Sequence, residues 1–425
     1  MSILIRKIRA VDPKNKLDDV VDVFISEGRI AKIGKNLKES AEKEVKGEGL
    51  CLIPGLVDLH AHFREPGFEN KETIETGTRS ALRGGYVGCV TMPNTEPPCD
   101  TQSVVAHILR RARELDFNLF PCGTISKRRE GKEISEMAEL KKSGCVAVSD
   151  DGSFVANSLL MRHALEYASM YGLLVISHAI DPDLSQIGVI NEGKMSTLLG
   201  LKGSPNAAEA IACWRDISLA KLTKTRLHLA HVSTSEAVKL VREAKKEKIP
   251  VTCEATPHHI ALRDEDIVHY DTNFKMNPPL RTAEDIEEIV KGLKDGTVDC
   301  ISTDHAPHAP EEKELEFVDA PFGVTGLETA FGVIMTELYH KRGMKLEDIL
   351  WKMALCPCEL IGVKDFNEIR EGLVANLAVV SLDKEWEVKK DSFASKSRNS
   401  CFIGKKLKGK VLHTICNGKL HSFDK

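Results

Sequence analysis

The chain has 425 residues, 42% hydrophobic and 29% charged, a composition that supports a large buried core and excludes a disordered or collagen-like chain. With 59 basic against 63 acidic residues the net charge is -4, which gives no reason to expect nucleic-acid binding. No apolar stretch approaches the ~18 residues that suggest a membrane span, and the opening Met1–Lys7 meets charge at once, so no membrane partner and a cytoplasmic location are expected.

At ~150 residues per domain, the length allows two or three units, or one α/β barrel with a smaller module. The first residues read as β-structure: Ile3–Val11, Val20–Ile25 and Ile30–Ile33, with Glu27-Gly28 as a turn. From Leu56 to Leu350, short apolar runs alternate with longer segments of helical spacing. The runs are Val57–His62, Val87–Met92, Leu119–Gly123, Val146–Ser149, Leu173–His178, Arg226–Val232, Val251–Ala255 and Cys300–Asp304. Helical spacing is clearest in Glu72–Arg83, Val104–Leu115 and Ser235–Glu247. Eight strand–helix repeats in succession predict an α/β fold of (β/α)8 TIM-like barrel type. The rival, an open doubly wound sheet, announces itself by a glycine-rich phosphate loop after the first strand, and none is present. The tail returns to β-structure at Ala375–Leu382 and Lys410–Leu420, with Asn417-Gly418 as a hairpin turn. The expected division is a catalytic barrel over 54–365 and a small β-domain formed jointly by 1–53 and 366–425, with two separate β-appendages as the alternative.

Twelve cysteines stand mostly alone in apolar runs, as at Cys89, Cys145 and Cys300, with no Cys-x-x-Cys pair, so they are expected to be reduced core residues. His60 and His62 lie two apart on the first run, which puts both side chains on one face. A His-x-His pair alone reads more readily as two hydrogen-bonded surface histidines. Its company argues otherwise. Asp150-Asp151 follow the fourth run, His178 closes the fifth, His231 ends the sixth and Asp304-His305 close the eighth. In a barrel these carboxyl ends converge on one mouth, where active sites are built. Imidazoles and carboxylates gathered there suit zinc or a similar divalent ion. His258-His259 are expected to cap a helix or fill the rim, and His107, His163 and His340 to be packing or surface residues.

Several longer motifs run through the chain in order: Phe63-Arg64-Glu65-Pro66-Gly67, Met92-Pro93-Asn94-Thr95, Asp150-Asp151-Gly152, Asn277-Pro278-Pro279-Leu280-Arg281, Thr303-Asp304-His305-Ala306-Pro307-His308 and Ser395-Lys396-Ser397-Arg398-Asn399. Through them the sequence resembles the dihydroorotases of bacterial multi-domain-length type, cyclic amidohydrolases of the metal-dependent amidohydrolase superfamily, nearly end to end. The resemblance implies that His60, His62, Asp151, His178, His231 and Asp304 are metal ligands, with Asp304 also the catalytic general base and acid. It implies that Arg64, Asn94, Asn277 and His308 bind substrate, and that one or two Zn2+ ions are held per chain. Many superfamily members bridge two metals with a carboxylated lysine on the fourth strand; here that run reads Cys145-Val146-Ala147-Val148-Ser149, so a carboxylate, Asp151 or its neighbour Asp150, must substitute.

The reaction implied is the zinc-dependent, reversible closure of N-carbamoyl-L-aspartate to L-dihydroorotate, a step of pyrimidine synthesis, on a small anionic substrate. Self-association and association with aspartate transcarbamoylase, known for some relatives, are implied as partners. The nearest rivals are allantoinase and dihydropyrimidinase, which open neutral rings, and a catalytically dead homologue acting as a structural partner. Arg64 favours an anionic ring, because its planar fork matches a carboxylate. The segment Ala309–Gly323, rich in charge and proline, is expected to close over the mouth.

Overall fold

The computed structural model describes residues 2–186 and 188–423. Eight strands, Leu56–Ala61, Tyr86–Thr91, Asn118–Gly123, Ala147–Val148, Leu174–Ser177, Leu227–Leu229, Val251–Ala255 and Cys300–Ile301, pair in chain order and all in parallel. The ring closes where His62 donates its N–H to the His305 carbonyl at 2.8 Å, beside a parallel bridge between Ala61 and His305. The strands are buried almost throughout, which is why they read as unbroken apolar runs rather than as alternating ones. Leu59, Val90, Cys122, Leu174, Ile176 and Cys300 belong to one cluster at the strands, so the barrel is packed with side chains and is not a pore.

Helices follow the strands and cover their outer faces. The first, Ile74–Arg83, starts where Thr73 caps the Thr76 N–H in a reciprocal capping box, two residues later than the periodicity places it. Helix Ser235–Lys246 starts on Thr234, whose side chain accepts the Ala237 N–H. Among the described residues no helix is long and apolar enough to cross a membrane. All twelve cysteines are buried and free, as the apolar runs around them predict.

The chain ends form one sheet rather than two appendages. Cys51–Pro54 pairs antiparallel with Leu377–Val380, joining the N-terminal strands Ile3–Asp12, Leu17–Ser26 and Arg29–Gly34 to the C-terminal Leu377–Glu387, Lys406–Cys416 and Lys419–Ser422. Ile3, Ile5, Val23, Ile25, Leu377 and Ile415 give this sheet its own core. The Asn417-Gly418 turn has positive φ at both residues (48° and 77°), the conformation that suits a two-residue hairpin. A Cβ on Gly418 would lie 2.1 Å from the Gly28 Cα. Gly418→Ala should therefore lose more than ~1 kcal/mol and melt at a lower temperature; an unchanged midpoint of thermal unfolding would contradict this packing.

Candidate metal centre

Of the predicted metal ligands only His60 lies on a strand, the first; the other five sit just beyond strand ends. The fourth strand stops at Val148, the sixth at Leu229 and the eighth at Ile301, before Asp151, His231 and Asp304. At these points the backbone leaves the ladder, and three non-glycine residues adopt positive φ: Arg64 at 62°, His231 at 33° and Asp304 at 46°. Such conformations cost of order 1–3 kcal/mol each and persist where the surroundings over-determine them. Here they turn side chains into the mouth.

Four imidazoles and two carboxylates meet there. Asp151 lies between two histidine pairs. On one side its oxygens are 3.2 Å from His60 Nε2 and 3.4 Å from His62 Nε2; on the other they are 3.5 Å from His178 Nδ1 and 3.6 Å from His231 Nε2. Asp304 Oδ1 sits 3.1 Å from His62 Nε2 and 3.6 Å from His60 Nε2. Asp150 faces elsewhere: it accepts the backbone N–H groups of Ile125 and Ser126 and the Ser126 hydroxyl. The adjacency that sequence leaves ambiguous is resolved by direction, Asp150 pinning a turn and Asp151 facing the histidines.

Orientation comes from behind. His60 Nδ1 lies 2.8 Å from Glu254 Oε1 and His62 Nδ1 lies 2.8 Å from Asn94 Oδ1, so each ring donates outward and keeps Nε2 as a lone-pair donor inward. Asn277 Nδ2 contacts His178 Nε2 at 3.3 Å. Asn94 and Asn277, expected to meet substrate, thus also hold histidines.

The electrostatics follow. Burial alone would raise the Asp151 carboxyl, but His60, with hydrogen bonds from His178 and His231, outweighs it and holds the group well below the ordinary range. Asp304 is likewise held low against its burial, by His62 and His60. Burial pushes His62 and His178 down, towards the neutral ligand form, whereas at His60 burial is outweighed by Asp151 and Glu254 and the imidazole is raised; a bound cation would stand in for its Nε2 proton. His60 Nε2 and Asp151 Oδ1, 3.2 Å apart, are both buried without a hydrogen-bond partner. Orphaned lone pairs within a few ångströms of one another are what a divalent cation satisfies. The residues fit such an ion.

Beside this cluster opens a cavity of about 310 Å³, lined by His62, Arg64, Asn94, Asp151, His178, His231, Asn277, Asp304, His308 and the Pro321–Gly323 segment. Arg64 is buried and anchored by its Nε to the Pro307 carbonyl at 3.1 Å, with Nη2 3.3 Å from His308 Nε2. Burial lowers its guanidinium to about 10, still charged at neutral pH.

Sequence reading passed over Glu254. It sits on the seventh strand, wholly buried, and binds His60, His228 Nε2 at 3.2 Å and the Ser302 hydroxyl. A lone carboxylate inside an apolar run was the available signal. His228, Glu254 and Cys300 form another potential ligand group, but both His228 nitrogens already have partners, Thr252 and Glu254, so it reads as a brace for His60. Glu254→Gln keeps the shape and loses the charge that favours the inward Nε2; cation affinity should fall about 10- to 100-fold. Equal affinity in a metal-binding titration would show that His60 needs no brace. His258-His259 are buried in a short helix, Pro257–Ala261. His259 bonds Thr256 and the Pro278 carbonyl.

Residues 49–237 match the family described as dihydro-orotase-like. Over nearly the whole chain the sequence is similar to curated dihydroorotases. That of Acetivibrio thermocellus is 46% identical over 418 residues, 98% of each chain, and that of Endomicrobium trichonymphae 47% identical over 421 residues, 99% of each. Among solved structures, the L-hydantoinase (dihydropyrimidinase) of Arthrobacter aurescens superposes with a TM-score of 0.87 at 22% identity, covering 100% of this chain and 97% of its own. The dihydropyrimidinase of Brevibacillus agri gives 0.84 at 20% identity, covering 99% and 95%. At such identity these two share the barrel fold.

Proposed function

The chain belongs to the dihydroorotase family, and from that premise we propose that it interconverts N-carbamoyl-L-aspartate and L-dihydroorotate with a zinc ion, as a step of pyrimidine synthesis. The observation that carries the reading is the convergence of orphaned imidazole and carboxylate atoms next to a buried arginine on one small cavity. His60, His62, Asp151, His178, His231 and Asp304 would hold the cation. A divalent ion there supplies Lewis acidity, making water more acidic and an amide carbonyl more electrophilic.

The protein's own groups do the rest. In ring opening Asp304 takes the proton of the attacking water and returns it to the departing ring nitrogen; in closure the proton travels the other way. Its carboxyl is held low by His62 and His60 and is ionised throughout the neutral range. Arg64 presents a fixed fork to the carboxylate that the substrate keeps throughout, a pairing that would separate this ring from the neutral rings of hydantoinases. His308, its imidazole pushed by burial down to about 2, is a neutral partner beside it.

Arg64→Lys keeps a charge and loses the fork. KM for both substrates should rise by roughly 10- to 100-fold, from losing ~1.5–3 kcal/mol of charge-assisted bonding. Unchanged KM in steady-state assays would favour a neutral ring. His178→Ala should leave the barrel folded, because the site lies at its rim, while bound cation and activity both drop; full cation content with normal turnover would remove His178 from the ligand set.

A further inference from the structure

Within Ala309–Gly323, expected to close over the mouth, the part after the short helix Pro310–Lys313, residues 314–323, is tied down. It makes little hydrogen-bonded structure of its own, and its carbonyls meet side chains instead. Lys275 Nζ donates to the Val318 carbonyl at 2.8 Å. Lys313 Nζ donates to the Pro321 and Gly323 carbonyls at 2.9 and 3.1 Å, and Asn399 Nδ2 to that of Gly323 at 3.0 Å. Lys275 is 2% exposed and Lys313 9%, and among the described residues neither forms an ion pair with a carboxylate. Burying an amine with no carboxylate in ion-pair contact is expensive, and these carbonyls satisfy its donors.

Both lysines stand beside groups already placed at the site. Lys275 precedes Asn277 by two residues and accepts the Gly323 N–H on its own carbonyl at 2.9 Å. Lys313 ends the short helix Pro310–Lys313 that follows His308. Gly323 packs so tightly that a Cβ there would lie 2.7 Å from the Ala306 Cβ.

We propose that Lys275 and Lys313 are positioning residues for substrate binding: Lys275 holds the Val318 carbonyl and Lys313 those of Pro321 and Gly323, so that the segment on either side of Phe322, whose own carbonyl lies 2.8 Å from His308 Nε2, is clamped as a fixed cavity wall in register with Asn277 and His308. Burial supports the assignment, lowering the Lys275 amine to about 8 and, with Lys275 repelling it, the Lys313 amine to about 7. A neutral amine still has two N–H groups, enough for the two carbonyls that Lys313 holds.

The substrate named rests on the dihydroorotase reading; the clamp does not. Lys275→Met and Lys313→Met retain the stem and remove the donors, with Lys313→Gln as the milder variant should a methionine prevent folding. Expected results are faster amide hydrogen exchange in 314–323, KM for dihydroorotate raised about 10- to 100-fold as carbonyls lose partners, kcat lowered far less, and unchanged bound cation per chain. Unchanged exchange in folded variants would overturn the clamp, whatever the wild type turns over. Faster exchange with KM within twofold of wild type would overturn its role in binding. A wild type that leaves dihydroorotate intact would sink the substrate reading alone, with exchange still deciding the clamp.

Discussion

Asp304→Asn should lower kcat by at least ~10²–10⁴ in both directions while cation and substrate still bind. The amide is nearly isosteric and keeps an oxygen for the cation, but it cannot accept the water proton and has none to return to the ring nitrogen. Closure turns a substrate with two carboxylates into a product with one and consumes a proton, so lower pH favours the ring. That equilibrium is a property of the reactants and no variant shifts it, so kcat/KM must fall by the same factor in both directions. Because Asp304 is held well below the ordinary carboxyl range, it is already ionised in the neutral range. A rise of hydrolysis with pH across that range would then report another group, such as the attacking water. Near wild-type turnover by Asp304→Asn would place the proton shuttle elsewhere.

Asp151→Ala should be nearly as damaging, for a different reason. Asp151 is within 3.6 Å of all four histidines. Removing it leaves clustered imidazoles with only Asp304 to balance a divalent charge. If Asp151 bridges two ions, metal analysis should show the second lost more completely than the first. If one ion is held, total content should fall with activity. Equal content in variant and wild type would exclude Asp151 as a ligand.

The barrel was legible because each strand is buried and helices such as Ile74–Arg83 and Ser235–Lys246 are amphipathic, so the two periodicities alternate down the chain. All eight strands fall on the apolar runs, although the runs overshoot: Cys300–Asp304 is a strand only at Cys300–Ile301. The overshoot has a physical cause. His231 and Asp304 turn into the site where the backbone leaves the ladder, and a histidine or aspartate at positive φ carries no mark of it in sequence. The convergence of His60, His62, His178 and His231 was foreseeable, since strand ends share a mouth. Glu254, Lys275 and Lys313 were not singled out, because their partners lie far along the chain or are main-chain carbonyls, as with Glu254 and His60, 194 residues apart. Ser395–Asn399 entered the reading by resemblance alone; the fold shows it as a strap, with Ser395 on Glu72 and Asn399 holding Ala306 and Gly323.

The central claim is that a divalent ion at this mouth lets the chain open an anionic ring. The direct measurement is ring opening by the purified chain, stripped with a chelator and then given back zinc, with dihydroorotate assayed beside the neutral rings dihydrouracil and hydantoin. The account predicts no turnover without the ion, recovery with it, and a strong preference for dihydroorotate that Arg64→Lys weakens. Zinc-loaded protein that leaves dihydroorotate intact, or opens the neutral rings as fast, would contradict it.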